Sequence, residues 1–333
     1  MFASLPPMAP STALRWTLAG DEAQAPLFDD GLPSGARDLP GVEYMHVRAR
    51  TIISNVPASS RMPFRHTINA YRGCTHACVY CFARPTHRYL DLDSGSDFER
   101  KIVVKVNAVE RLRAELRSPK WTGEHIAMGT NTDPYQPAEG RYRLTRGLIE
   151  TLSEARNPFS ILTKSTMILR DVDLLVEAAR RTSVGVSLSI GTLDERAWRT
   201  SEPGTPPPRQ RIETLRRLVD AGLECGVLVA PVLPGISDAP EQLEEVVNAC
   251  VDAGASSISS ILLHLRPGVR ELYLPWLQRE RPDLVAAYET MYASPSGYAS
   301  QEARRAHAGR IARLTRIPAV QEYTRMPAKY SEA

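Results

Sequence analysis

From residue 66 onward the chain alternates short β-prone runs with amphipathic helical stretches, and it does so six times. The β-prone runs fall at 67–72 (TINAYR), 124–129 (EHIAMG), 159–163 (FSILT), 184–190 (VGVSLSI), 224–230 (ECGVLVA) and 257–263 (SISSILL). Runs such as VGVSLSI and FSILT lack a strong polar–apolar alternation, as strands covered on both faces do. Helices are predicted near 97–117, 143–155, 171–181, 208–221, 240–253 and 280–292. In the fourth, Ile212, Leu215, Leu218 and Val219 share one face, and Gly222 follows as a stop signal. Asp238 and Pro240 mark the start of the fifth. Six β–α units joined by right-handed crossovers curl into a parallel barrel or part of one. The expected fold class is therefore α/β, a partial (β/α)6 TIM-type parallel barrel. Its chemistry belongs at the C-terminal ends of the strands.

The flanks read differently. In residues 1–45, Pro6, Pro7, Pro10, Pro26, Pro33 and Pro40 are scattered among Gly, Ala and Asp with no sustained period. Such a stretch buries too little surface to offset chain entropy and is expected to be a disordered N-terminal lead-in. The expected organisation is a lead-in over 1–45, a barrel over 46–265 and a C-terminal helical extension over 266–333. A length of 333 residues accommodates one such barrel with additions. The stretch 301–316 (QEARRAHAGRIARLTR) reads as a basic helix.

Composition narrows the function classes. With 41 basic and 38 acidic residues the net charge is +3, too small to argue for nucleic acid by itself. Arg greatly outnumbers Lys, which suits forked contacts to carboxylate or phosphate and equally suits a coding bias. No apolar run approaches the ~18 residues of a spanning helix, and 1–10 lacks the pattern of a secretory signal. A cytoplasmic protein without a membrane partner is expected. Five cysteines are no disulfide framework, but three of them fall within eight positions, which points to metal in a reducing compartment.

Those three lie just past the first predicted strand, in Arg72-Gly73-Cys74-Thr75-His76-Ala77-Cys78-Val79-Tyr80-Cys81. Their spacing, C-x3-C-x2-C, lets Cys74, Cys78 and Cys81 reach one centre from a single loop. Soft thiolates select iron–sulfur clusters or zinc. A zinc site completed by His76 or His87 is one reading of this donor set. A cubane cluster is the other; it has four irons, and three local ligands leave one iron open, as a catalytic rather than a structural site would require. Cys225 and Cys250 lie in a predicted strand and a predicted helix and read as buried apolar residues.

This motif, with Tyr80 just before its last Cys and its place after the first strand of a β/α barrel, resembles the radical S-adenosylmethionine (SAM) superfamily. The surroundings, TINAYRGCTHACVYCFARPTHRYL followed by DFERKIVVKVNA, are similar to its spore-photoproduct-lyase-like branch. The likeness spans roughly residues 48–265. It implies a [4Fe–4S] cluster on Cys74, Cys78 and Cys81, with SAM on the fourth iron. It also implies reductive cleavage of SAM to a 5′-deoxyadenosyl radical, which takes hydrogen from a substrate, and a flavodoxin or ferredoxin as electron donor. The rival expectation is a zinc-stabilised, non-catalytic nucleic-acid-binding protein.

By the same resemblance, SAM contacts are expected from further positions. Thr130, Asn131 and Asp133, after the second predicted strand, would meet its amino group, and Gly129 would allow close backbone approach. As bare sequence, Asn131 and Asp133-Pro134 are ordinary turn residues. Lys164, after the third strand, would meet the carboxylate as a point charge with three donors. Ser189, ending the fourth, would meet the ribose. Residues 230–236 (APVLPGI) would pack on adenine with Tyr80 on the other side. Arg211 resembles a basic position of the family and reads equally as a helix-surface Arg. Arg84, His87, Arg88, Tyr89, Lys101 and Lys105, with Arg61, Arg65 and Arg72 before the cysteines, interleave charge with rings in the manner of nucleic-acid contacts, or form a solvated charged face. With the branch resemblance, nucleic acid is the first substrate expectation, and a peptide or small molecule is the alternative. Tyr89, Tyr135 and Tyr142 are candidate radical relays. One departure stands out. The branch is expected to carry a Cys after the second strand as hydrogen donor, where this chain reads Met128-Gly129-Thr130, so thymine-dimer repair is not carried over.

Overall fold

The computed structural model describes residues 16–18, 39–57, 60 and 62–314. Most of the expected lead-in, 1–15 and 19–38, lies outside the described residues, as do Arg61 and everything after Leu314. Within that lead-in Trp16–Leu18 forms a strand, β1, antiparallel to β2 (Glu43–Ala49). β3 (Ile53–Asn55) then turns back along β4 (His66–Ile68).

The first predicted strand is two strands. After β4 the backbone leaves the main sheet at Asn69 and Ala70, and β5 (Tyr71–Arg72) joins a second sheet. The Lys105 ammonium donates to the Asn69 carbonyl at 2.7 Å and the Lys105 amide to that of Ala70 at 3.0 Å, so the step between sheets leaves no orphaned carbonyl. The predicted helix 97–117 is likewise not one helix. It divides into α1 (Ser96–Arg100), a strand β6 (Lys101–Lys105) and α2 (Ala108–Leu116). The run KIVVK pairs in parallel with β2 and antiparallel with β5, and Val103 and Val104 are fully buried there. Two β-branched residues side by side fit a pleated surface better than a helix interior. The small sheet has the order β1-β2-β6-β5.

From there the alternation runs as the sequence implies. β7 (Ile126–Met128) leads to α3 (Ala138–Tyr142) and α4 (Leu144–Glu154), and β8 (Phe159–Thr163) to α5 (Val172–Arg181). β9 (Val184–Ser189) is followed by α6 (Glu195–Ser201) and α7 (Pro208–Asp220), and β10 (Cys225–Val232) by α8 (Pro240–Asp252). β11 (Ser257–Leu262) is the last strand. The main sheet has the order β11-β10-β9-β8-β7-β4-β3, with every neighbouring pair parallel except β3–β4. Six parallel strands in chain order, with helical crossovers, form the expected partial barrel, and β3 adds an antiparallel edge.

The C-terminal extension, as far as it is described to Leu314, is mainly helical. α9 (Arg270–Glu280) and α10 (Val285–Met291) replace the single helix predicted over 280–292. Pro282, which lacks an amide donor and restricts its predecessor, breaks the path between them. α11 (Gln301–Leu314) is the basic helix. Cys225 and Cys250 are fully buried in the barrel wall, and burial alone pushes both thiols up to about 12. No helix among the described residues is long and apolar enough to cross a membrane.

Candidate active site at the head of the barrel

The cysteine loop begins at Gly73, whose φ of +83° is open to glycine. A Cβ there would stand 2.9 Å from both the His87 ring and the Phe98 carbonyl. Side chains tie the loop's carbonyls. Gly73 O accepts from Thr132 Oγ1 at 2.6 Å and from Gln136 Nε2 at 2.9 Å. Arg84, fully buried, donates Nε to Cys78 O at 2.9 Å and a terminal nitrogen to Ala77 O at 3.1 Å. Its other contacts are the Ser94 and Gly95 carbonyls, the Glu99 carboxylate and the face of Phe98. Arg84, read from sequence as a nucleic-acid contact, is instead spent inside the fold.

A second clamp comes from the corner after α6. Val79 N donates to Ser201 O at 3.0 Å and Gly204 N to His76 O at 3.1 Å. The approach is so close that a Cβ on Gly204 would lie 2.1 Å from the Thr75 carbonyl. Trp276 of α9 holds this corner from outside through Nε1 on Thr200 O at 2.9 Å. Cys78 and Tyr80 in turn belong to an apolar cluster with Leu233, Leu263, Tyr273 and Trp276, so the C-terminal extension covers one side of the loop.

Cys74, Cys78 and Cys81 are free thiols, the first two buried and the third half-buried. Burial raises all three above the ordinary thiol value, Cys78 to about 12. Tight turns hold the three in one loop, Ala77 N donating to Cys74 O at 3.3 Å and Cys81 N to Cys78 O at 3.2 Å, and Cys81 packs against the apolar clusters that contain Cys78 and Cys74. No three His, Cys, Asp or Glu side chains among the described residues converge as a single ion would require. His76 points Nδ1 at Asp133 Oδ2, 3.4 Å away, and His87 sets Nε2 at 3.0 Å from Lys101 O; neither groups with the thiols as a set of convergent ligands. At ~2.3 Å per bond a zinc ion would draw its thiolates to about 4 Å from each other. A cluster needs neighbouring thiolates rather than convergent ones, because each iron takes its own. The donor set fits an iron–sulfur cluster.

Beside the thiols lies a buried ionic network. Lys164, directly after β8, points Nζ at Ser189 Oγ (2.8 Å), Glu202 Oε1 (3.1 Å) and Ala230 O (3.4 Å). It stands 5.7 Å over the ring of Tyr80. The Tyr80 hydroxyl donates to the same Glu202 oxygen. Glu202 Oε2 takes Arg211 at 2.5 Å and Thr205 Oγ1 at 3.2 Å. Arg211 is only 1 % exposed and also holds Pro206 O and Ser189 O. Burial pushes the Glu202 carboxyl up, yet Arg211 and Lys164 overcome that and hold it well below the usual carboxylate range.

The structure thus brings Tyr80, Lys164 and Ser189 together, with residues 230–236 contributing Ala230 O and Leu233. Thr130 and Asn131 sit apart, on Asn69: Thr130 Oγ1 lies 3.2 Å from Asn69 Nδ2, and Asn131 N donates to Asn69 Oδ1 at 3.0 Å. Asp133 is a buried bracket. It accepts from Thr163 Oγ1 (2.6 Å), Tyr135 N (2.9 Å) and Lys164 N (2.8 Å), besides facing His76. Gly129 does allow a close approach, but to the backbone of β8: a Cβ there would lie 2.0 Å from Leu162 O. Glu202 escaped sequence reasoning entirely, and Arg211, which as sequence is open both to a family basic position and to a helix-surface Arg, is among the largest fully buried side chains. One signal was available for Arg211: it follows Pro206-Pro207-Pro208 on the face opposite the helix's exposed charges.

Residues 68–250 match the model of the radical SAM superfamily, more than half of the chain. The chain is a radical SAM superfamily protein. An uncharacterized Mycobacterium tuberculosis protein is 42% identical over 290 residues, covering 84% of this chain and 85% of the relative. A radical SAM Nα-GlyT isomerase of Pseudomonas phage M6 is 27% identical over 163 residues, 49% of this chain and 32% of the relative. In fold, the chain is similar to spore photoproduct lyase complexed with dinucleoside spore photoproduct. The TM-score is 0.61 at 18% identity, over 84% of this chain and 81% of that one. The fold is therefore that of the spore-photoproduct-lyase-like branch, and family membership implies SAM and an iron–sulfur cluster.

Proposed function

We propose that the protein is a radical SAM enzyme of the lyase or transferase type. The observation that carries this reading is the trio of free thiols, two buried and one half-buried, beside the part-buried ammonium of Lys164 at the head of a parallel barrel. With Cys74, Cys78 and Cys81 as ligands, a [4Fe–4S] cluster and SAM would supply one-electron cleavage of the sulfonium and a 5′-deoxyadenosyl radical that abstracts hydrogen. The chain's own residues position and protect. Lys164 offers its ammonium to the methionyl carboxylate, and Ser189 a hydroxyl to the ribose. Tyr80 and Leu233 provide the apolar bed for adenine. Thr130, Asn131 and Asp133 lie on the loop proposed for the amino group, and Asp133 also fixes that loop through Thr163 Oγ1 and the amides of Tyr135 and Lys164. The helices behind Tyr80 keep water from the site, as radical chemistry requires.

A nucleic acid is the proposed substrate. The support is the fold shared with an enzyme solved with a dinucleoside and exposed rings near the cysteines: Phe82 is 46% and Tyr89 75% exposed, beside Arg88. A flavodoxin or ferredoxin is the proposed electron donor, and the cytoplasm the proposed compartment. The test is anaerobic reconstitution with iron and sulfide, followed by SAM and dithionite. A brown chromophore that bleaches on reduction and releases 5′-deoxyadenosine is expected. A colourless protein holding one zinc, or a fully clustered one that releases none, overturns the proposal.

A further inference from the structure

The network at the head of β8 and β9 does not balance. Two cations, Lys164 and Arg211, face one carboxylate, Glu202. Arg211 is committed. Its Nε holds Pro206 O and its terminal nitrogens hold Ser189 O, Thr205 and Glu202 Oε2, all inside the protein. Lys164 is the surplus cation, with 13% of its side chain exposed against 4% for Glu202. The nearby carboxylate of Asp133 accepts from the backbone amide of Lys164 rather than its ammonium, and its other neighbours are Thr163, Tyr135 N and the His76 ring. Glu202 would not be orphaned by losing Lys164, because Arg211, Thr205 and Tyr80 remain on its two oxygens.

We propose that Glu202 is a positioning residue that serves as an internal stand-in carboxylate, holding Lys164 on Oε1 until the carboxylate of a bound ligand takes its place. The inference rests on the SAM reading above and adds a competition to it. Ser189 Oγ and Ala230 O keep the ammonium in register during the exchange. Because Tyr80 shares Oε1 with Lys164, the exchange also leaves that oxygen to Tyr80 alone, between Cys78 and Cys81. A like charge beside a ligand carboxylate weakens its binding, so Glu202 sets how strongly the site discriminates ligands with a carboxylate from those without one.

The test is calorimetric titration of the reconstituted protein, anaerobic and without reductant, with SAM and with decarboxylated SAM. In Glu202→Gln the amide no longer competes for Lys164. SAM should bind roughly tenfold tighter relative to decarboxylated SAM than in the wild type. A role that is only structural would weaken both ligands together, and an unchanged ratio overturns the proposal. Should Glu202→Gln not fold, Glu202→Asp decides the matter: the shorter side chain keeps its charge but draws the carboxylate back from Lys164, so the preference for SAM over decarboxylated SAM should still rise above that of the wild type, and an unchanged ratio overturns the proposal. Wild-type protein that binds neither ligand removes the SAM reading itself, whereas SAM binding with an unmoved ratio removes only the exchange.

Discussion

Two buried ionic networks lie in this barrel, and they differ in charge balance. On the flank, Glu139 and Asp171 are fully buried and face Arg170 and Arg146. Every oxygen is used. Glu139 takes Tyr71, Thr145 N and Arg170, and Asp171 takes Arg146 and both ends of the Arg170 fork. Two buried carboxylates meet two guanidinium groups, and Arg146 reaches on to the more exposed carboxylates of Asp173 and Glu150, so no cation is left over. At the barrel head, Lys164 and Arg211 share one carboxylate, and the spare charge lies beside the thiols. A balanced network fixes the packing of α3, α4 and the turn before α5; an unbalanced one keeps a charge for something that arrives. Where a buried group has no counterpart within the protein, ligand binding is the economical place to look for it.

The largest separation between the two should appear at the thiols. Cys78→Ser is expected to abolish iron loading, read by metal analysis, while the urea midpoint of the unloaded protein stays at the wild-type value. A large fall in that midpoint would make Cys78 a packing residue instead. The closed network should be the costlier to break in terms of folding. Glu139→Ala removes the fully buried carboxylate on which Tyr71, Thr145 N and Arg170 converge and is expected to destabilise by ~3–5 kcal/mol in urea unfolding. An unchanged midpoint would show that the network is dispensable.

Gly204→Ala tests the clamp between them. With the Thr75 carbonyl 2.1 Å from the new methyl, the α6 corner must back away from the cysteine loop. A loss of ~1–3 kcal/mol and reduced iron loading are expected, and normal loading would show that the loop stands without it. Lys164→Met should be mild for the fold, about 1 kcal/mol or less, since Arg211 still neutralises Glu202. A loss like that of Glu139→Ala would erase the distinction between the networks.

The smallest effect is in pH. Burial raises Glu139 despite Arg170, whereas Arg211 and Lys164 hold Glu202 down despite its burial. A lowered carboxyl contributes stability above its ordinary value of 4.5, lost as pH falls below it. A raised one contributes below 4.5 and loses that as pH rises. In cluster-free protein, Glu202→Gln should therefore flatten the acid-side fall in urea midpoint. Glu139→Gln should flatten the decline on the other side of pH 4.5. The same slope change in both variants would contradict the assignment.

The chain's own order of residues determined the repeating β–α architecture, the cysteine trio and the placing of Lys164 and Ser189 at strand ends. These depend on local spacing: three thiols in one loop, or one residue past a run of strand-formers, need no distant partner to be recognised. Tertiary structure alone decided the rest. KIVVK became a strand because β2 and β5 offered it edges, which no window of neighbouring residues reveals. Glu202 meets Tyr80 across 122 positions of chain, and without that meeting it is merely an acidic residue ending a helix. Whether a charge is solvated, balanced or left over is a property of the burial around it, and burial is a sum over the whole fold.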